Sequence, residues 1–279
     1  MTVTIIGTGL IGCSMAYRLK ETGFAQKIIG VDNDDRHLKT ARRLGWIDAA
    51  MPLDEAIVQS TLIVIAIPVD ATAVTLPSLL SKIDKQVLMD VGSTKGIICG
   101  LVAGDSKRGR YVATHPMWGT EKDGPEAVVK DAFKGRVAVI CEKERTDADA
   151  LQLVEELYEK IGMQLVYMDS DVHDVHAAYV SHISHIASYA LSLTVLEKEK
   201  EEDAIFELAS GGFESTVRLA KSNPAMWVPI FMQNKENVLD VLNEHIAQLR
   251  KIKSCLEKEN FVYLKELIEN ANKIKRILK

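Results

Sequence analysis

The spacing of apolar residues along this chain changes once, near residue 168. Before that point short apolar runs recur at Val3–Ile6, Lys27–Val31, Leu62–Ile67, Gln86–Asp90, Tyr111–Thr114, Arg136–Ile140 and Leu165–Met168. Runs this short, with little polar alternation, predict strands covered on both faces by helices. Between them lie segments with helical 3/4 spacing. Ile11, Met15 and Leu19 share one face, and so do Leu151, Val154, Leu157 and Ile161 behind a cap at Thr146 or Asp147. After Asp169 the strand signals stop. The remainder reads as helix, interrupted at Gly211-Gly212 and restarted by Asn223-Pro224 as an N-cap and first-turn pair. A seam of Leu239, Leu242, Ile246, Leu249, Ile252 and Leu256 predicts one long helix, and Ile268, Ile274 and Ile277 a last one. The expected fold class is therefore α/β: a doubly wound sheet of seven strands over residues 1–168, then an all-helical domain over 169–279. Apolar stripes on helices attached to one such sheet need a partner, which predicts a homodimer built from the helical part.

Composition narrows the classes of function. The 279 residues are enough for two domains with a normal core. A formal net charge of −5 leaves no excess of Lys and Arg for phosphate contacts, which argues against nucleic acid as the main partner. The four cysteines are scattered without a Cys-x-x-Cys pair, so neither a disulfide framework nor a zinc ribbon is expected. The longest apolar run, Leu62 to Val69, is too short to span a bilayer. The N-terminus enters a strand without a basic leader, and a cytoplasmic protein is expected.

Candidate chemistry sits at the predicted carboxyl ends of the strands. Gly7-Thr8-Gly9-Leu10-Ile11-Gly12 lies between a strand and a helix, and Asp32 ends the next strand twenty positions on. That context turns a weak glycine pattern into a dinucleotide fingerprint. Gly7 makes the turn, Gly9 admits the pyrophosphate and Gly12 lets the helix pack, while the helix N-terminus attracts the phosphates. Asp32 would accept from the adenosine ribose hydroxyls and repel a 2′-phosphate, favouring NAD over NADP, with Arg36 close by as a countervailing charge. Pro68, ending its strand, completes the candidate cofactor contacts. The stretch Thr114-His115-Pro116-Met117-Trp118-Gly119-Thr120-Glu121 puts a histidine at a strand exit with a carboxylate six positions on. Ser93 follows a strand on the same edge, where its hydroxyl either steers that histidine, holds a substrate hydroxyl or merely caps a helix. His173, His176, His182 and His185 crowd one predicted helix. They lack a metal-binding motif, and polar residues facing a cleft are the plainer reading. Arg218 lies among small and apolar residues, a setting suited to an anion.

Taken together, GTGLIG at 7–12, DVGSTKG at 90–96, HPMWGTE at 115–121, HD at 173–174, SHISH at 181–185, the run from Phe213 to Trp227 and QNKEN at 233–237 resemble the prephenate/arogenate dehydrogenase family along nearly the whole chain. The resemblance implies NAD-dependent oxidative decarboxylation of prephenate to 4-hydroxyphenylpyruvate, a step of tyrosine biosynthesis. It implies His115 as the catalytic histidine, Ser93 as the serine that assists it and Arg218 as the ligand of a substrate carboxylate. His185 matches a second active-site histidine, with His182 beside it. Glu121 and Asp174 match acids of an ionic network near the site entrance. No metal is implied. Val217, Ser184 and Pro229 depart from the usual pattern, which bears on fine substrate contacts. No appended regulatory domain is expected in 279 residues, so tyrosine feedback is expected to act at or near the site itself. Arogenate is the alternative substrate. A non-catalytic NAD sensor or a β-hydroxyacid or imine reductase are the competing classes, and neither calls for this histidine, serine and arginine together.

Overall fold

The computed structural model describes residues 1–200 and 206–277. The apolar runs form β1 (Thr2–Ile6), β2 (Lys27–Val31), β3 (Ala49–Ala50), β4 (Leu62–Ile65), β5 (Val87–Asp90), β6 (Tyr111–Pro116), β7 (Val137–Cys141) and β8 (Gln164–Met168). Between them run α1 (Leu10–Glu21), α2 (Asp35–Arg43), α3 (Leu53–Gln59), α4 (Val69–Lys82), α5 (Gly96–Leu101) and α6 (Ala148–Lys160). One sheet results, in the order β3-β2-β1-β4-β5-β6-β7-β8. The strand missing from the expected seven is β3. It has two alanines at the sheet edge, with neither the length nor the β-branched residues that mark a strand in sequence.

Alternate residues of each strand feed two separate cores. Ile5, Val64, Met89, Val112 and Ile140 point to one face, under Met15 and Leu19 of α1 and Val154 and Leu157 of α6. Ile6, Ile63, Ile65, Leu88 and Ala113 point to the other, under Leu76, Leu79 and Leu80 of α4 and Ile98 of α5. Burial on both faces explains why these runs show no polar alternation. The sheet is parallel except where β6 meets β7, which pair antiparallel with His115 opposite Val139 and Pro116 opposite Ala138. This pairing carries β6 two residues past the expected exit, so His115 lies inside the strand.

The helices continue with α7 (Ser170–Ala177), a π turn over Ala178–His182, α8 (Ile183–Glu199), α9 (Gly211–Val217), α10 (Pro224–Gln233), α11 (Lys235–Glu257) and α12 (Phe261–Ala271). Asn223 caps α10 by accepting from the Ala225 amide, with Pro224 following as expected. Trp227 and Ile230 of α10 belong to the same core as α4. By compactness the chain divides into two units, Met1–Asn234 and Lys235–Lys279. In the second unit α11 and α12 pack on each other. The seam of α11 is left open, with Leu249 52% and Leu256 55% exposed. All four cysteines are buried free thiols, Cys13, Cys99 and Cys141 in the first unit and Cys255 in α11. No described helix is long and apolar enough to cross a membrane.

Candidate active site

β1, β4, β5 and β6 run parallel, so their carboxyl ends share one edge. The chain leaves β1 toward β2 and later returns to β4 on its other side, the crossover point at which open α/β sheets bind ligands. A cavity of about 780 Å³ lies over this edge. Gly9, Leu10, Ile11 and Pro68 line one part of it, and Ser93, His115, Glu121, His185 and Trp227 another.

The three loop glycines are required for different reasons. Gly7 has φ +95°, and a Cβ there would lie 2.3 Å from the Ala66 carbonyl oxygen. A Cβ on Gly12 would lie 2.0 Å from the Gly7 carbonyl oxygen. At Gly9 it would meet nothing within 4 Å, because that position faces the cavity. Gly7, Thr8 and Gly12 therefore shape the loop from behind, while Gly9, Leu10 and Ile11 form its open surface. Asp32 is tied to the same loop: its carboxylate accepts from the Thr8 amide at 2.7 Å, the Thr8 hydroxyl at 2.9 Å and the Asp34 amide at 2.9 Å. Arg36 is turned away, bound through Nη2 to Asp34 at 2.8 Å and almost fully exposed. This open glycine cradle with an anchored acid beside it fits a dinucleotide with free ribose hydroxyls.

His115 is buried, and its Nδ1 lies 2.8 Å from Nε2 of His173. His173 in turn places Nδ1 2.8 Å from Oδ1 of Asp174. Asp174 accepts from the amides of Lys95 and Gly96, both at 2.8 Å, at the start of α5. Burial holds the His115 imidazole well below the usual histidine range, and His173, Lys95 and His182 push it the same way. Beneath lies a second buried group. Asp90, at the end of β5, accepts from the Tyr111 hydroxyl at 2.7 Å, the Gly92 amide at 2.9 Å, the Thr114 amide at 3.2 Å and the Lys95 ammonium. This carboxylate joins the Ser93 loop to the strand that carries His115.

Several expected site residues lie elsewhere than anticipated. Asp174 is not at an entrance; it is 5% exposed and faces inward to α5, because two unpaired amides there require an acceptor. Ser93 lines the cavity, but among the described residues its hydroxyl has no partner; the hydrogen bond to His115 Nδ1 is made by His173. His182 is behind the wall, edge-on to Trp227 and Phe231, with Nδ1 3.2 Å from the Asn234 amide nitrogen. His185 is on the wall itself, stacked on Trp227 at 3.4 Å between ring centroids. Burial lowers both His182 and His185 to about 4. Arg218 is half exposed and not part of the cavity lining, and it donates at 2.8 Å to Glu121, which is. The Glu121 amide and then Arg218 hold the Glu121 carboxyl below its ordinary range. Among the described residues no three His, Cys, Asp or Glu side chains converge as a metal set. The roles of His173 and Lys95 escaped the sequence reading. The adjacent His-Asp pair and a lysine in a loop of otherwise small, uncharged residues were their only signals.

Known proteins resemble this chain over most of its length. The family model described as the nucleotide-binding domain of prephenate dehydrogenase matches residues 15–167, and that described as its dimerization domain matches residues 169–270. A prephenate dehydrogenase of Bacillus subtilis is 32% identical over 93% of this chain and 71% of its own. A cyclohexadienyl dehydrogenase of Zymomonas mobilis is 28% identical over 99% and 96%. The crystal structure of prephenate dehydrogenase from A. aeolicus in complex with hydroxyphenyl propionate and NAD+ superposes with a TM-score of 0.86, at 29% identity, over 99% of this chain and 97% of that one. The chain therefore belongs to the prephenate dehydrogenase family.

Proposed function

We propose that this chain oxidises prephenate with NAD and releases carbon dioxide, leaving 4-hydroxyphenylpyruvate. One observation carries the reading: a single cavity joins the open surface of the glycine loop to a buried neutral histidine. Prephenate has a ring alcohol para to a ring carboxylate. Loss of the alcohol proton and the C4 hydride leaves a ring dienone, and loss of carbon dioxide from it gives an aromatic phenolate that takes back a proton to become the phenol, so the step is strongly downhill and needs orientation more than activation. NAD, held by the Gly7–Gly12 loop and Asp32, supplies the hydride acceptor. His115 accepts the hydroxyl proton on Nε2, since Nδ1 is already engaged by His173. Ser93, with its hydroxyl unpartnered and on the cavity wall, holds the substrate hydroxyl or the amide of the cofactor.

Arg218 meets a substrate carboxylate beside Glu121, its ion-pair partner on the cavity wall. His185 and Trp227, stacked on each other in the cavity wall, give the same ligand a flat surface to pack against. Residues 1–168 hold the cofactor, and 169–279 complete the substrate site and form a homodimer through the exposed face of α11. The protein works in the cytoplasm. Prephenate is favoured over arogenate because Glu214, the acid nearest Ser215 that could meet an ammonium, is exposed and off the cavity wall.

The test is NADH formation from prephenate and from arogenate, with NAD and with NADP. Prephenate with NAD should be used best, and His115→Asn should lower turnover by roughly 10²–10⁴-fold while NAD binding persists. Absence of NADH formation with prephenate, or a His115→Asn protein within a fewfold of the parent, would overturn the reading.

A further inference from the structure

We infer that His173 is a positioning residue that fixes the tautomer of His115, keeping its Nδ1 protonated and its Nε2 lone pair facing the cavity. The inference rests on the reading of His115 as the base and adds to it a reason why the base is ready.

Asp174 anchors the order of protons that His115 inherits. Its two carboxylate oxygens accept the Lys95 and Gly96 amides, and Oδ1 also meets Nδ1 of His173 at 2.8 Å. A carboxylate with backbone donors on both oxygens can only accept, so the proton of that third bond belongs to His173 Nδ1. A neutral imidazole carries one N–H, which leaves His173 Nε2 as a lone pair. That atom is 2.8 Å from His115 Nδ1, and the bond closes only if His115 supplies the hydrogen. His115 Nε2 is then bare. An isolated histidine has no such constraint, and with the proton on Nε2 it could not act as a base toward the cavity.

The supporting groups are arranged to hold this order. His173 is 2% exposed and Asp174 5%, so water does not compete for either bond. The fully buried Lys95 and Asp90 side chains pair beneath the site, and Lys95 opposes a second positive charge on the histidine pair. His182 closes another side as a neutral ring. When His115 takes up the substrate proton its Nδ1–H need not move, so the bond to His173 persists through the step.

Nitrogen NMR on the full chain labelled with 15N-histidine reads the tautomer directly, with His115→Asn used to assign the His115 signals. The expected spectrum has His115 protonated at Nδ1 and bare at Nε2, without any ligand present. His173→Leu, which keeps the volume and removes the acceptor, should shift His115 toward the Nε2–H form. Its turnover should fall about 10²-fold, with the Michaelis constant and the NAD dissociation constant within threefold of the parent. His173→Gln can donate to Asp174 through its amide nitrogen and accept through its oxygen, and should regain at least tenfold of that loss. A parent His115 protonated at Nε2, or a His173→Leu protein within threefold of parental turnover, overturns the inference. Equal losses in His173→Leu and His173→Gln also overturn it, since packing would then explain the effect. The spectrum needs no substrate. Failure of the parent to oxidise prephenate would therefore sink the functional reading and leave the tautomer result standing.

Discussion

At residue scale the glycine loop makes a sharp distinction between folding and binding. A methyl at Gly12 would sit 2.0 Å from a backbone carbonyl oxygen that cannot yield, whereas one at Gly9 would stand in open space over the cavity. Gly12→Ala should therefore cost at least about 1–3 kcal/mol of stability and disturb the loop. Gly9→Ala should keep the parental denaturant midpoint and lose affinity for NAD, because the added methyl occupies the place of the pyrophosphate. Denaturation and NAD titration on the two variants check this, and equal midpoints would contradict it. These roles were legible in the sequence because each follows from local spacing: a strand, a turn, a helix and an acid twenty positions on. The partner of His115 was not. His173 is fifty-eight positions away, and no periodicity encodes which of four histidines on a helix reaches a given strand.

At the scale of elements, the sequence located most strands but not how they end. β6 continues through Pro116 because β7 returns antiparallel beside it, and the direction of a neighbouring strand leaves no mark in an apolar run. The turn from β6 toward β7 then carries Glu121 to Arg218, just after α9. That contact changes what Arg218→Ala should do. The ion pair is half exposed and contributes little to stability. Removing it should leave the unfolding midpoint nearly unchanged and free Glu121 to repel the substrate. The Michaelis constant for prephenate should rise by at least tenfold, and that for NAD by less than threefold. A parallel rise in both would show that the arginine shapes the site without touching the substrate. The helical half was legible in the same partial way. The stripe of α11 predicted a helix with an apolar face, but not that α7–α10 stay with the sheet. Trp227 and Ile230 bury against it through contacts far apart in sequence.

For the whole molecule, the buried histidines set how the fold responds to acid. His182 and His185 fall from 6.5 to about 4, and His115 is depressed with them. A depressed pKa means that the unfolded chain binds more protons, so stability is full above about pH 6.5 and declines as pH falls toward about 4. Urea midpoints measured across that window should drop steadily, and His182→Gln should flatten the slope. A midpoint independent of pH there would mean these rings are solvated. The cysteines carry a different consequence. Cys13 and Cys99 are pushed up to about 12 by burial, Cys141 is raised as well, and Cys255 is shielded within α11. A thiol so enclosed reacts with iodoacetamide only when its surroundings open. Alkylation is thus a clock on opening, with Cys255 reporting on the second compact unit and the other three on the first. Mass spectrometry of timed samples should find Cys255 modified at its own rate if the units open separately, and all four together if they open as one.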